Sequence, residues 1–308
     1  MSQTMRKWVP AYAAALIFLA AAGLMPPAAS AARPATLHEQ VSQWIEALSA
    51  ESGYELWKSA AYSISPLGPG THSWYVTVKN GPAIAGYLIV EATDREAEPY
   101  RLVEYGSGPH PLFDSAVLRH GMSKEGIGRY KAVPLYYHPL LAVWHITKPD
   151  GAVLYADAMS GETLPIDDKL LGEAVSEAGE PNGVSAAASI ETASIETVKD
   201  TAIDKPRPAW EVSVRRNASF ERYDRMPWLT GSPLAASERH LLPAMLDKRA
   251  EIRYTAELYR NTTRFVWAVA GYDQWSDGTT EHTYITLEGE GTRNVLFDLL
   301  LSEGEFYR

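Results

Sequence analysis

Residues 73–108 most constrain what this chain can become, because they read as three strands in direct succession. Trp74, Val76 and Val78 share one face of the first strand, with Tyr75 and Thr77 on the other, the period-two alternation of a pleated strand. Asn80, Gly81 and Pro82 end it: Asn-Gly tolerates the positive φ of a tight turn, and proline has no N–H for a ladder. Residues 86–90 are apolar without alternation, which predicts a second strand buried on both faces. The charged run 93–99 reads as a loop and 101–105 as the third strand. Such a meander needs cover for its apolar face, so helices are expected against it.

Leu37, Val41, Ile45 and Leu48 make a helical stripe widened by Trp44, with Thr36 placed to cap it. A strand is expected around residues 56–64, a loop over 66–70, and a helix over 112–120 behind Pro111. Residues 130–133, 140–147 and 152–156 read as further strands, the last two joined by a Pro149-Asp150-Gly151 turn. Beyond these, Ala188-Ser-Ile-Glu-Thr192 is repeated at once as Ala193-Ser-Ile-Glu-Thr197, in a tract with too little apolar surface to offset the entropy of ordering. A second segment then offers a strand at Trp210, Val212 and Val214 and a helix from Ser232 towards Lys248 that Pro243 kinks or splits. Strands are expected over 252–259, 265–272 and 282–287, then a last helix capped by Asn294 and stopped by Gly304. Two tripeptides recur, Ala-Gly-Tyr at 85–87 and 270–272 and Leu-Phe-Asp at 112–114 and 296–298; matches this short read as chance. The expected fold class is α+β, with two modules, each an antiparallel sheet covered by one or two helices. The divisions are 1–31 as a signal peptide, 32–171 as the first module, 172–208 as a disordered linker and 209–308 as the second module.

Arg6 and Lys7 precede an apolar run over 13–25, broken by Pro26 and Pro27 before Ala29-Ser30-Ala31. This is the form of an export signal cleaved after Ala31, too short for a membrane span; a retained anchor is the competing reading. The 28 Lys and Arg stand against 38 Asp and Glu. Loss of Arg6 and Lys7 with the signal leaves 26 against 38, or −12, which disfavours nucleic acid and anionic lipid as partners. With no cysteine, disulfides, thiolate zinc sites and cysteine nucleophiles are excluded together.

No Gly-x-Ser-x-Gly elbow, His-Glu-x-x-His pair, phosphate loop or dinucleotide fingerprint occurs, and no cofactor is expected. His110 and His120 flank a predicted helix that carries Asp114, a loose acid–base or metal set. Ordinary surface histidines explain the same pattern. Asp273 and Asp277, beside Gly278, could open a calcium loop, although the third spaced acid and the closing glutamate are missing and a hairpin accounts for the stretch as well. Asp157 with Glu162 brackets a turn, and Asp167-Asp168 reads as a solvated pair. Tyr75, Tyr87 and Tyr105 are candidates for an aromatic docking surface, with core packing as the alternative.

Residues 73–113, through Tyr75, Gly86 and the strand after it, Ala92-Thr-Asp94, Tyr105 and Phe113, resemble the propeptide and inhibitor module of streptopain-type secreted peptidases. Residues 155–164 look like the closing strand and turn of the PepSY module. Residues 265–287 are similar in outline to the histidine-bearing half of papain-like bacterial peptidases, keeping Gly271-Tyr272-Asp273. Phe265 or Trp267 stands where that histidine would fall, and no cysteine exists, so the resemblance implies a pseudo-peptidase with no catalytic residue. The expected function is an exported, non-catalytic binding protein, inhibitor-like or propeptide-like, directed at a protein partner outside the cell membrane. An extracellular hydrolase of another type and a cell-wall-associated structural protein are the alternatives.

Overall fold

A computed structural model describes residues 35–68, 72–96, 98–177 and 210–308. The expected signal and most of the expected linker lie outside these residues. Helix α1 (Leu37–Ser49) opens the fold, and a 3-10 turn (Glu55–Ser59) precedes strands β1 (Ala61–Pro66), β2 (Ser73–Asn80), β3 (Ala83–Ala92) and β4 (Tyr100–Ser107). Helix α2 (Ser115–Lys124) leads to β5 (Lys131–His138), β6 (Leu141–Thr147), β7 (Val153–Asp157), β8 (Thr163–Leu164) and helix α3 (Asp168–Glu177). The remainder comprises β9 (Glu211–Arg216), helices α4 (Pro227–Thr230), α5 (Ala236–Arg239) and α6 (Leu242–Asp247), β10 (Arg253–Leu258), β11 (Thr263–Ser276), β12 (Glu281–Glu288), β13 (Thr292–Leu296), α7 (Phe297–Glu303) and β14 (Glu305–Tyr307). The fold is α+β, all its strand pairs antiparallel.

Local signals explain many of these elements. Thr36 and Glu39 exchange hydrogen bonds at the start of α1 (3.2 and 2.8 Å), satisfying N–H groups that a helix end otherwise leaves open. Pro243 divides the expected 232–248 helix into α5 and α6, because proline lacks the N–H and crowds the preceding turn. Asp114 accepts from the Ala116 N–H (2.7 Å), so the expected 112–120 helix begins later, at Ser115. The strand expected from residue 56 starts only at Ala61, after the 3-10 turn buries Trp57. The first six residues of the expected linker, 172–177, instead continue α3: Asp167 accepts from the Leu170 N–H (2.8 Å), and Leu171 and Ala174 enter the core. Asp168, expected to be solvated, takes a hydrogen bond from the Tyr155 hydroxyl (2.9 Å).

Two sheets carry the described residues. The large one runs β1-β2-β3-β4-β13-β12-β11-β10-β14, with β9 also on β11; the small one runs β5-β6-β7-β8. Two modules with separate sheets were expected, but strands of both segments join in one sheet through Tyr105↔Asn294 and Glu104↔Val295. The described residues form one compact unit. The reason is apolar area that neither segment can cover alone. Trp275, Tyr284 and Leu296 complete the core under α1, while Leu141, Val143 and Tyr155 of the small sheet pack with Tyr254, Val269 and Leu287.

The central strand β3 is buried on both faces, as its unbroken apolar run predicts. Leu88 and Val90 meet α1, while Tyr87 and Ile89 meet α2 and the small sheet. The recurring Ala-Gly-Tyr tripeptide proves structural. Register shifts place an extra residue at Ala85 in β3 and at Ala270 in β11, and the glycines that follow have φ of +159° and +154°. A carbonyl of the neighbouring strand lies against each, Gly106 on Gly86 and Arg215 on Gly271. These are β-bulges whose backbone conformation and crowding both demand glycine.

Candidate functional site

The tyrosines expected on a docking surface are instead interior. Tyr87 and Tyr105 are buried, and Tyr75 is half-buried, donating to the Leu112 carbonyl (2.5 Å) and stacked on Tyr87. Their strands are covered on both faces, so no partner could reach the rings of Tyr87 or Tyr105. Burial and the carboxylates beside their hydroxyls (Glu104 for Tyr87, Asp273 for Tyr105) push both phenols above their ordinary pKa.

Of the loose histidine set, only two members meet: His110 Nδ1 lies 3.3 Å from Asp114. Asp114 is committed to the cap of α2, and His120, exposed farther along that helix, makes no described hydrogen bond to either. Asp273 and Asp277 do not converge. Asp273 is fully buried, taking the Arg216 guanidinium on both oxygens and the Tyr105 hydroxyl (2.6 Å). Asp277 accepts from the Thr279 N–H, the Thr279 hydroxyl and the Thr280 N–H (2.8, 2.8 and 2.7 Å) within the β11–β12 hairpin. Partial burial works against its charge, but these hydrogen bonds hold its carboxyl below the usual range. Asp273 is therefore committed to Arg216 and Tyr105 in the interior, and Asp277 is turn chemistry. Among the described residues, no group of three His, Asp or Glu side chains is arranged to hold a metal ion.

A cleft of about 210 Å³ lies elsewhere, between the β7–β8 turn, the β12–β13 turn and the start of β11. Thr263 to Trp267 form its floor, Asp157, Met159, Ser160 and Glu162 one wall, and Arg222, Tyr223 and Glu290 the other. Phe265 and Trp267, two apart on one strand and so on the same face, stack at 5.7 Å and 14°. Arg222 pairs with Glu290 (2.5 Å) and covers the Tyr223 ring at 4.9 Å. A side chain at Gly289 would collide with Arg222 and Trp267, so this glycine lets the two close the cleft.

An apolar ridge continues from that wall. Tyr223 is 50% exposed, Met226 44% and Leu229 61%, and the Tyr223 ring meets Trp228 edge-on at 6.3 Å. Arg225 and Met226 hold left-handed backbone (φ +58° and +35°), an unfavourable conformation for side chains of this size. Arg225 is tied down by Glu251, and the Leu229 N–H donates to the Met226 carbonyl (2.9 Å). The ridge is thus a built feature that keeps large apolar groups in water.

Reading by period passes over this site, because residues 217–231 have neither helical nor strand alternation. The available signal is compositional: Tyr223, Met226, Trp228 and Leu229 fall within seven residues of a segment lacking any period. No helix among the described residues is long and apolar enough to cross a membrane. No family model matches this chain, and comparison with curated proteins and with solved structures finds no significant match to either.

Proposed function

We propose that this chain is an exported, non-catalytic binding protein that docks on a protein partner outside the cell membrane through the Tyr223–Leu229 ridge and the adjoining cleft. The exposed ridge carries this reading. Large apolar side chains held in water by strained backbone are a cost without a partner, and Tyr, Met, Trp and Arg are the residues that dominate protein interfaces. Export is supported by the basic, apolar and Ala-x-Ala sequence of residues 1–31. The resemblance of residues 73–113 and 155–164 to propeptide modules favours a secreted peptidase as the partner's class.

The test uses the chain from residue 32 to 308, immobilised and exposed to the exported proteins of its source. Specific capture should fall at least tenfold on Leu229→Asp, the scale of a lost interface anchor. It should survive Leu56→Asp, which changes an equally exposed leucine (60%) on the 3-10 turn. Equal capture by both variants, or none by the parent, refutes the reading.

A further inference from the structure

The floor of the cleft is a stretch of strand with one side unpaired. Strand β11 has 14 residues, yet its ladder with β12 begins only at Ala268↔Glu288. Residues 263–267 are therefore paired to β10 alone. The Val269 N–H donates to the Ile252 carbonyl (2.8 Å), which sets the phase of the β10–β11 ladder. Bonded positions alternate in antiparallel strands, so Phe265 and Trp267 bond to β10. The backbone N–H and C=O of Arg264 and Val266 face the other way, into the cleft.

The charges around this edge are unequal in a way that bare counting hides. Arg222, Arg264 and Arg293 are each engaged, with Glu290, Glu257 and Glu104. Asp157 accepts only the N–H groups of Met159 and Ser160 (3.0 and 2.7 Å), and the Glu162 carboxylate has no described partner. The residual field is negative, and the half-buried Phe265 ring beside it, backed by the buried Trp267, offers a π face to a cation.

We propose that the open edge of β11 at Arg264 and Val266 accepts an extended segment of the partner protein as an added strand, with a lysine or arginine of that segment laid over Phe265 and towards Asp157 and Glu162. Strand addition supplies sequence-independent main-chain bonds, and the side-chain pocket supplies selectivity. This inference rests on the binding-protein reading and names what that site takes.

Hydrogen exchange in the full chain, resolved residue by residue, tests it. The free protein should exchange the Arg264 and Val266 amides at least tenfold faster than those of Phe265 and Trp267. Slow exchange at 264 and 266 in the free protein means that another part of this chain or a second copy already fills the edge, and overturns the proposal. The probe is acetyl-Thr-Val-Lys-Val-Thr-amide. It should slow exchange at 264 and 266 and bind up to about fivefold more tightly than its glutamate counterpart, the limit for an exposed ion pair. Glu162→Gln should shrink that preference. Val266→Pro removes one outward donor and leaves the β10 bonds intact, so probe binding should drop at least tenfold. If that variant does not fold, a probe N-methylated along its backbone takes its place. Undiminished binding of both, or equal binding of the lysine and glutamate probes, sinks the inference. Partner capture that depends on Leu229 without protection at 264 and 266 refutes strand addition and leaves the binding reading standing; probe binding without partner capture does the reverse.

Discussion

Glu104 and Arg293, 189 positions apart, form a two-pronged ion pair with both arms at 2.7 Å in the middle of the large sheet. The Tyr87 and Tyr136 hydroxyls donate to the same carboxylate (2.5 and 3.1 Å), and Arg293 also donates to the Pro139 carbonyl. Burial opposes the guanidinium charge, yet Glu104 outweighs it and holds Arg293 above its ordinary pKa. One residue along, on the opposite face, Tyr105, Asp273, Arg216 and Asn294 form a second network. The junction of the two segments is thus pinned by charge on both faces.

Arg293→Met should destabilise the protein by about 3–5 kcal/mol, because it strands the Glu104 carboxylate in the interior. Adding Glu104→Gln should recover about 2 kcal/mol, since glutamine still accepts from the tyrosines without a charge. Urea unfolding of the single and double variants measures both. No recovery would show that the carboxylate is relieved by another route.

Tyr105→Phe removes the donor to Asp273 and the acceptor of the Trp275 indole N–H (3.0 Å). The expected loss is about 1–3 kcal/mol, the cost of leaving buried polar groups unpaired. Millimolar calcium should leave the Tm unchanged, because Arg216 already occupies Asp273. A calcium-dependent rise that disappears in Asp277→Asn would restore the calcium-loop reading.

His138 is held down to a pKa of about 4 by burial and by Arg293. Unfolded, it titrates near 6.5, so between these values the unfolded chain binds the extra proton. Its contribution is then complete above pH 6.5 and lost as pH falls towards 4, amounting to about 3 kcal/mol. Glu303, 3.9 Å away, has its carboxyl raised by burial and acts with the opposite sign, losing stability as pH rises. His138→Asn keeps an acceptor for the Leu140 N–H and should flatten the acid limb of stability against pH. An unchanged slope would contradict the assignment.

Gly271→Ala should cost about 3 kcal/mol or more, since the new methyl meets the Arg215 carbonyl and the backbone sits at φ +154°. Gly81→Ala, in a turn with open space around it, should cost only about 1 kcal/mol from its φ of +58°. Thermal unfolding of the pair separates crowding from conformational preference; equal losses would remove crowding from the explanation.

Much of the fold is legible in the chain because its causes are local. Pro243 splits a helix, Thr36 starts one and Gly304 stops one, each through neighbours within a turn. Residues 292–296 show the limit. Asn294, Val295 and Leu296 read as the start of a helix but form β13, since β12 and β4 offer ladders on both sides and tertiary pairing outweighs a weak propensity. The cleft was illegible for a related reason. Its floor is an edge, and an edge exists only where a neighbouring strand ends, in this case at Glu288.

By itself the sequence determined the α+β class, the strand buried on both faces and the absence of disulfide chemistry, because period and composition act within a few residues. Only the tertiary structure decided that the two segments share one sheet, that Tyr87, Tyr105 and Asp273 face inward, and that Arg222, Tyr223 and Trp267 gather around an open edge. Those outcomes depend on contacts between residues up to 240 positions apart, such as Asn294 with Tyr54. Burial and charge pairing of that range belong to the packed chain and leave no mark on the local sequence.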